Sequence, residues 1–171
     1  GSGSMSSVSN GALKLNTNGN GAFFFGPTYA YGKDGSVTLS FTGSPYSTQE
    51  LYFVMRYQSG TPGSSNFQGI CMKLFINKDG NNNFGYELYN NGTLVKREGT
   101  SWQDAIQFPG SHTDPVLKFV LSGDHLYLYI NDQENDWTSV LKDWGGLSAS
   151  AAGNFGMYVN SNGNGNSALT H

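Results

Sequence analysis

Along most of the chain, apolar and polar positions alternate with a period of two. The clearest case is the stretch LKFVLSGDHLYLYIN. Leu117, Phe119, Leu121, Leu126, Leu128 and Ile130 fall on every second position around a Ser122-Gly123-Asp124-His125 break, as a half-buried hairpin requires. Periodicity near 3.6 is almost absent, because Gly and Pro interrupt nearly every stretch long enough to hold a helix. The alternation predicts strands over 12–15, 23–25, 36–41, 51–57, 70–77, 84–89, 93–98, 116–121, 126–131, 139–141 and 155–159, with a short last one over 167–170. Lys78-Asp79-Gly80-Asn81, Asn90-Asn91-Gly92 and Ser122-Gly123-Asp124 suit tight hairpin turns, since Gly and Asn tolerate positive φ. Trp102 to Ile106 has room for one helical turn and no more. Short strands joined by hairpins imply an all-β fold, a two-sheet antiparallel β-sandwich, rather than a parallel sheet with crossover helices.

Composition narrows the classes. At 171 residues the chain fits a single domain with a real core, placed here at 6–171. The opening Gly1-Ser2-Gly3-Ser4-Met5 reads as a cloning scar and is set aside from the fold. Charged residues make up only 12%, about half the usual share, so the polar surface must come mostly from Gly, Asn, Ser, Thr and Tyr. A net charge of -3 without a Lys/Arg cluster argues against nucleic acid as a partner. No run of 18 apolar residues occurs, which argues against membrane insertion by a helix. Cys71 is the one cysteine, so there is no disulfide framework; in an apolar strand without a neighbouring histidine it reads as a packed thiol. The similar segments Asn16 to Ala22 and Asn160 to Asn166 read as two Asn/Gly loops, not as repeats.

The order of these segments carries a resemblance. Leu51-Tyr52-Phe53-Val54-Met55-Arg56-Tyr57 is followed by a long loop, then by Met72 to Ile76, Tyr86 to Tyr89 and Asn91 to Leu94. Leu117 to Gly123, Leu126 to Asn131 and a closing Gly153 to Val159 complete the series. Over roughly residues 11–160 it resembles the concanavalin A-like lectin and laminin G-like jelly-roll superfamily, as found in bacterial carbohydrate-binding modules. That superfamily includes lectins, sugar-binding modules, glucanases and protein-binding domains, so the resemblance implies a fold and leaves the function to individual residues.

Glucanases of the superfamily place carboxylates at alternate positions of one strand, at the separation that nucleophile and acid/base need. Here the corresponding strand, Phe84 to Tyr89, offers Glu87 with no partner two residues away. Glu134 and Asp136 do alternate, but in a stretch of loop composition. His112 and His125 lie near turn signals and read as surface residues. Asp132, Glu134 and Asp136 have the chemistry of oxygen ligands to calcium, and the resemblance implies a structural calcium; the alternative is a solvated acidic loop. The sequon Asn91-Gly92-Thr93 coincides with a hairpin turn, which accounts for it without glycosylation.

The second faces of the strands hold the remaining signal. Opposite a core set of Leu51, Phe53, Met55 and Tyr57 stand Tyr52, Val54 and Arg56. Opposite Ile70, Met72, Leu74 and Ile76 stand Cys71, Lys73, Phe75 and Asn77; further strands add Glu87, Tyr89, Tyr127, Tyr129 and Tyr158. Aromatic rings take the CH faces of a pyranose, while Arg, Lys, Glu and Asn hydrogen-bond its hydroxyls. Taken singly, each tyrosine is an ordinary strand residue; together they constitute a patch. Trp102 and Trp137 sit in polar loops and join the ligand-contact set, whereas Trp144 reads as a packed edge residue. The expected ligand site is therefore Tyr52, Arg56, Lys73, Glu87, Tyr89, Trp102, Tyr127, Tyr129 and Trp137, with Tyr52, Arg56, Tyr89, Tyr127 and Tyr129 sharing one platform. The expected function is a non-catalytic carbohydrate-binding module with a glycan partner, part of a larger multidomain protein that is secreted or held at the cell surface. The alternatives are an adhesion domain with a protein ligand and a glycoside hydrolase whose carboxylates come from different strands.

Overall fold

The computed structural model describes residues 4–9, 12–16, 22–25, 31–42, 49–77, 83–99, 106–107, 116–131, 140–161 and 167–170. All of its regular structure is β. In chain order the strands are β1 (Ser4–Ser9), β2 (Ala12–Asn16), β3 (Ala22–Phe25), β4 (Tyr31–Gly32), β5 (Gly35–Thr42), β6 (Gln49–Ser59), β7 (Gln68–Asn77) and β8 (Asn83–Asn90). They continue with β9 (Thr93–Glu98), β10 (Ile106–Gln107), β11 (Val116–Ser122), β12 (His125–Asn131), β13 (Val140–Trp144), β14 (Gly153–Ser161) and β15 (Ser167–Thr170).

Two antiparallel sheets form among the described residues. The seven-stranded one runs β1-β2-β15-β5-β11-β12-β13. The eight-stranded one runs β10-β8-β7-β6-β14-β3, with β4 added on β14 and β9 on β8. Ser4 and Met5, set aside as scar, pair with Asn16 and Leu15 in the edge strand β1, since any chain with free N–H and C=O groups can extend a sheet edge. Ile106 pairs with Phe84 as a strand residue and does not close a helical turn.

The alternating apolar residues of both sheets meet in one core. Phe53, Met55, Ile70, Met72, Leu74, Tyr86 and Leu88 come from one layer; Leu117, Phe119, Leu121, Leu126, Leu128 and Trp144 come from the other. Phe53 of β6 stacks on Phe119 of β11 at 5.0 Å between ring centroids. Trp144, on the edge strand β13, packs edge-on against Tyr86 at 4.8 Å and donates its indole N–H to the Tyr86 hydroxyl at 2.9 Å. Packed in this way, Trp144 ties the edge strand β13 of one sheet to β8 of the other.

A smaller cluster lies on the opposite side of the eight-stranded sheet. Tyr52, Val54, Phe67, Cys71 and Tyr158 form it, with Tyr57 and Tyr89 packed against it. The loop from Gly60 to Phe67 folds back over the sheet and supplies Phe67, which is fully buried. Gly63, at φ +79°, lets the loop backbone approach the Tyr52 ring so closely that a Cβ would lie 2.6 Å from the hydroxyl.

One residue breaks the alternation of β6. Arg56 has φ +51°, and the register with β7 shifts between Met55 and Ser59. Such a bulge reverses the facing of the residues C-terminal to it. Tyr57, expected in the core, therefore packs on the outer cluster. Arg56, expected on the outer face, turns instead toward the end of the sandwich, where it is 2% exposed. There Nε donates to the Lys33 carbonyl at 2.6 Å, Nη1 to the Ala149 carbonyl at 2.7 Å, and Nη2 to the Gly123 carbonyl at 2.6 Å and Asp34 Oδ1 at 3.1 Å.

Candidate functional site

The outer face of the eight-stranded sheet carries a single cross-strand row. Tyr158 on β14 lies opposite Tyr52 on β6, Tyr52 opposite Lys73 on β7, Lys73 opposite Glu87 on β8, and Glu87 opposite Arg97 on β9. At about 4.8 Å per strand the row spans about 19 Å. The next row holds Gly156, Val54, Cys71, Tyr89 and Leu94.

The row has two halves. Its aromatic half is covered: Tyr52 is 5% exposed beneath the Gly60–Phe67 loop and tilts against Tyr158 at 5.8 Å. Lys73 bridges the halves, with Nζ 5.7 Å from the centroid of the Tyr52 ring. The polar half is open. Glu87 Oε1 pairs with Arg97 Nη2 at 2.9 Å, and Oε2 accepts from the Tyr89 hydroxyl at 2.8 Å. Burial, followed by this hydrogen bond to a carboxylate, pushes the Tyr89 phenol up to about 12, so it stays a proton donor at any physiological pH. Burial likewise pushes the Cys71 thiol up to about 12, which suits a packed residue and not a nucleophile.

Tyr52, Lys73, Glu87 and Tyr89 are thus brought together as expected, and three expected members are not with them. Arg56 is consumed by the buried contacts described above. Tyr127 and Tyr129 belong to β12 in the seven-stranded sheet, where their alternates Leu126 and Leu128 enter the core. Their side chains therefore leave the sandwich on its far side, and no platform can join them to Tyr52 or Tyr89. Trp102 and Trp137, and the proposed calcium ligands Asp132, Glu134 and Asp136, lie outside the described residues. Among the described residues, no three His, Cys, Asp or Glu side chains gather to hold a metal ion.

Arg97, Phe67 and Tyr57 belong to the site and were missed. A two-residue turn at Asn91-Gly92 pairs Asn90 with Thr93 and Tyr89 with Leu94, which continued regularly would set Glu87 opposite Lys96. A shift between Leu88 and Tyr89 moves the register by one and brings Arg97 there instead. No apolar pattern in β9 announces this, because the strand is exposed along most of its length.

Glu98, the neighbouring carboxylate, faces the other way. It accepts from the Tyr86 hydroxyl at 2.6 Å and from Lys142 Nζ at 2.9 and 3.0 Å. The Tyr86 hydrogen bond first, then Lys142, holds its carboxyl below the usual range, so it stays ionised. Glu87 and Glu98 lie on opposite sides of the β8–β9 ribbon and cannot flank one glycosidic bond.

On the far sheet, His125 stacks on Tyr127 at 5.6 Å and 13° between planes, with Nδ1 2.8 Å from Asp143 Oδ1 and Nε2 3.7 Å from Asp124 Oδ1. The Asp143 hydrogen bond raises the imidazole above its ordinary value, and Asp124 adds to the effect. The protonated ring is the favoured form in the folded chain, so this contribution is complete below the free-histidine value of about 6.5 and fades as pH rises through the raised one. In an NMR titration the His125 midpoint is expected above about 6.5 and is expected to fall back in Asp143→Asn; equal midpoints in the two proteins would refute the pairing.

No family model matches the chain, and no curated protein matches it. Solved structures do. The carbohydrate-binding module CBM66 from Bacillus subtilis is 14% identical with a TM-score of 0.54, the match covering 92% of this chain and 81% of that one. A prokaryotic β-1,3-1,4-glucanase (lichenase) from a mouse hindgut metagenome is 10% identical with a TM-score of 0.54, over 95% of this chain and 78% of the other. The exoplasmic/lumenal domain of VIP36, in its Ca2+/Man3GlcNAc-bound form, is 16% identical with a TM-score of 0.52, over 92% and 72%. At such identities the likeness is one of fold. The chain has the concanavalin A-like jelly-roll fold that carbohydrate-binding modules, lectins and glycoside hydrolases share.

Proposed function

We propose that the protein is a non-catalytic carbohydrate-binding domain whose ligand lies on the outer face of the eight-stranded sheet. The observation that carries this is the open half of the cross-strand row, where Lys73, Glu87, Arg97 and Tyr89 present charged groups and a phenol side by side on a rigid sheet. Saccharides are bound by such groups in quantity, each hydroxyl taking or giving a hydrogen bond while ring CH faces lie on aromatic carbon. The fold is shared with proteins named for carbohydrate binding, and also with a glucanase. A binding role is favoured over hydrolysis because Glu87 and Glu98, the neighbouring carboxylates of β8 and β9, face opposite ways, and retaining or inverting cleavage uses two that face one bond. Polymeric glycans are met outside the cell, which supports reading the domain as part of a secreted or surface protein, one module of a larger chain.

A glycan array, followed by titration against the best hit, tests the reading. Kd is expected at about 10 μM to 1 mM, and Tyr89→Ala is expected to weaken it by about tenfold, the loss of roughly 1.4 kcal/mol. Reducing sugar released from any hit would overturn the non-catalytic reading. A blank array together with a captured protein ligand would replace it with an adhesion domain.

A further inference from the structure

We infer that the ligand of this face is an acidic saccharide, a sugar bearing an anionic group, and that Arg97 is the residue that binds that group while Glu87 aims it. The inference rests on the proposed carbohydrate-binding role and adds the ligand class.

The chain has two arginines, Arg56 and Arg97. Arg56 is spent on the buried contacts at the end of the sandwich, so Arg97 is the one guanidinium left for a ligand. It is 54% exposed, on a strand that sits at the margin of the sheet. A guanidinium carries five N–H donors in a planar fork that fits both oxygens of a carboxylate or two of a sulfate. Its ion pair with Glu87 occupies one side of that fork and fixes its direction, because Glu87 is only 12% exposed and is itself held from the other side by Tyr89.

Glu87 decides between a neutral and an acidic ligand. A site for neutral sugar uses its carboxylate to accept hydroxyl protons. Here Oε1 already pairs with Arg97 and Oε2 already accepts from the Tyr89 hydroxyl, so the carboxylate is held between them and serves to orient the cation, with one acceptor site left on each oxygen. Lys73 stands opposite Glu87 on the other side, in the same row. Among the described side chains of the row, two cations therefore meet one carboxylate, so this row carries +1 in a chain whose net charge is -3. A local excess of that sign, next to a pre-aimed guanidinium, complements an anion on the sugar.

The test titrates the chain with three polymers: dextran as the neutral one, polygalacturonate as a polyuronate, and dextran sulfate. Polygalacturonate is expected to bind at least about tenfold more tightly than dextran at about 0.1 M salt, and less so as salt rises. Arg97→Gln is expected to abolish that advantage, and Arg97→Lys to restore only part of it, since an ammonium cannot hold two oxygens at once. Glu87→Gln, which leaves the guanidinium unaimed, is expected to weaken polygalacturonate binding several-fold. As Arg97 is exposed, Arg97→Gln should melt within about 2 °C of the parent, which separates lost binding from lost fold.

Tighter binding to dextran sulfate that disappears in Arg97→Gln supports the anion site and names sulfate as its source. Sulfate binding that survives Arg97→Gln is diffuse electrostatics and overturns the inference. Equal affinity for dextran and polygalacturonate also overturns it, while leaving carbohydrate binding in place. Failure to bind any of these polymers or any glycan on the array removes the carbohydrate-binding reading itself.

Discussion

Phe53→Ala is expected to cost about 4 kcal/mol of stability, which for a domain of this size lowers Tm by about 8–16 °C. Phe53 is 1% exposed and reaches across the sandwich to stack on Phe119, also 1% exposed. The two rings belong to different sheets, so neither layer can close around the gap without moving against the other. The loss therefore combines the transfer free energy of the ring with the cavity left behind. A calorimetric or urea-unfolding comparison checks it. A cost below about 1.5 kcal/mol would mean that the sheets slide to refill the space and that the rings do not set their spacing.

Arg56→Leu is expected to cost about 3 kcal/mol. The change leaves the carbonyls of Lys33, Ala149 and Gly123 without their donor, and Asp34 without its cation. Leucine meets the same positive φ that arginine does, so the backbone strain is unchanged and the loss measures the contacts. Arg56→Gly removes those contacts too but relieves the left-handed conformation, so it is expected to be about 1 kcal/mol less damaging than Arg56→Leu. If the two variants melted together, the strain at Arg56 would have to be negligible. If both melted like the parent, the buried guanidinium would be incidental to the sandwich.

Much of the architecture was legible because burial on one face imposes a period of two, and that period survives in the sequence wherever the strand is regular. The hairpin from Leu117 shows it best: the predicted strands, their turn and the inward Leu117, Phe119, Leu121, Leu126 and Leu128 match the structure. The same logic found Tyr52, Lys73, Glu87 and Tyr89 as outward neighbours, because each alternates with a core residue of β6, β7 or β8. What alternation cannot carry is the assignment of strands to sheets. Tyr127 and Tyr52 have identical local signatures, a tyrosine between apolar residues, and yet leave the molecule on opposite sides. Nor does it carry irregularity. Arg56 and the shift beside Leu88 each involve one residue, and each changes which side chain stands on the outer face. Covering loops are equally silent: between β6 and β7 the sequence shows a long loop, and the buried Pro62 and Phe67 hold it over Tyr52.

The bulge at Arg56 has a consequence for how this domain can change over time. One left-handed residue sends its own side chain inward, to clamp the end of the sandwich, and its successor, Tyr57, outward, to pack on the outer aromatic cluster. Drift at this point is thus not free to change the outer face alone. Deleting or straightening the bulge would exchange the two side chains, burying a phenol where a cation holds three carbonyls and stranding a guanidinium among tyrosines. Variation on this face is then channelled to the opposite margin of the sheet, to exposed β9, where a residue such as Arg97 can be replaced without disturbing the core.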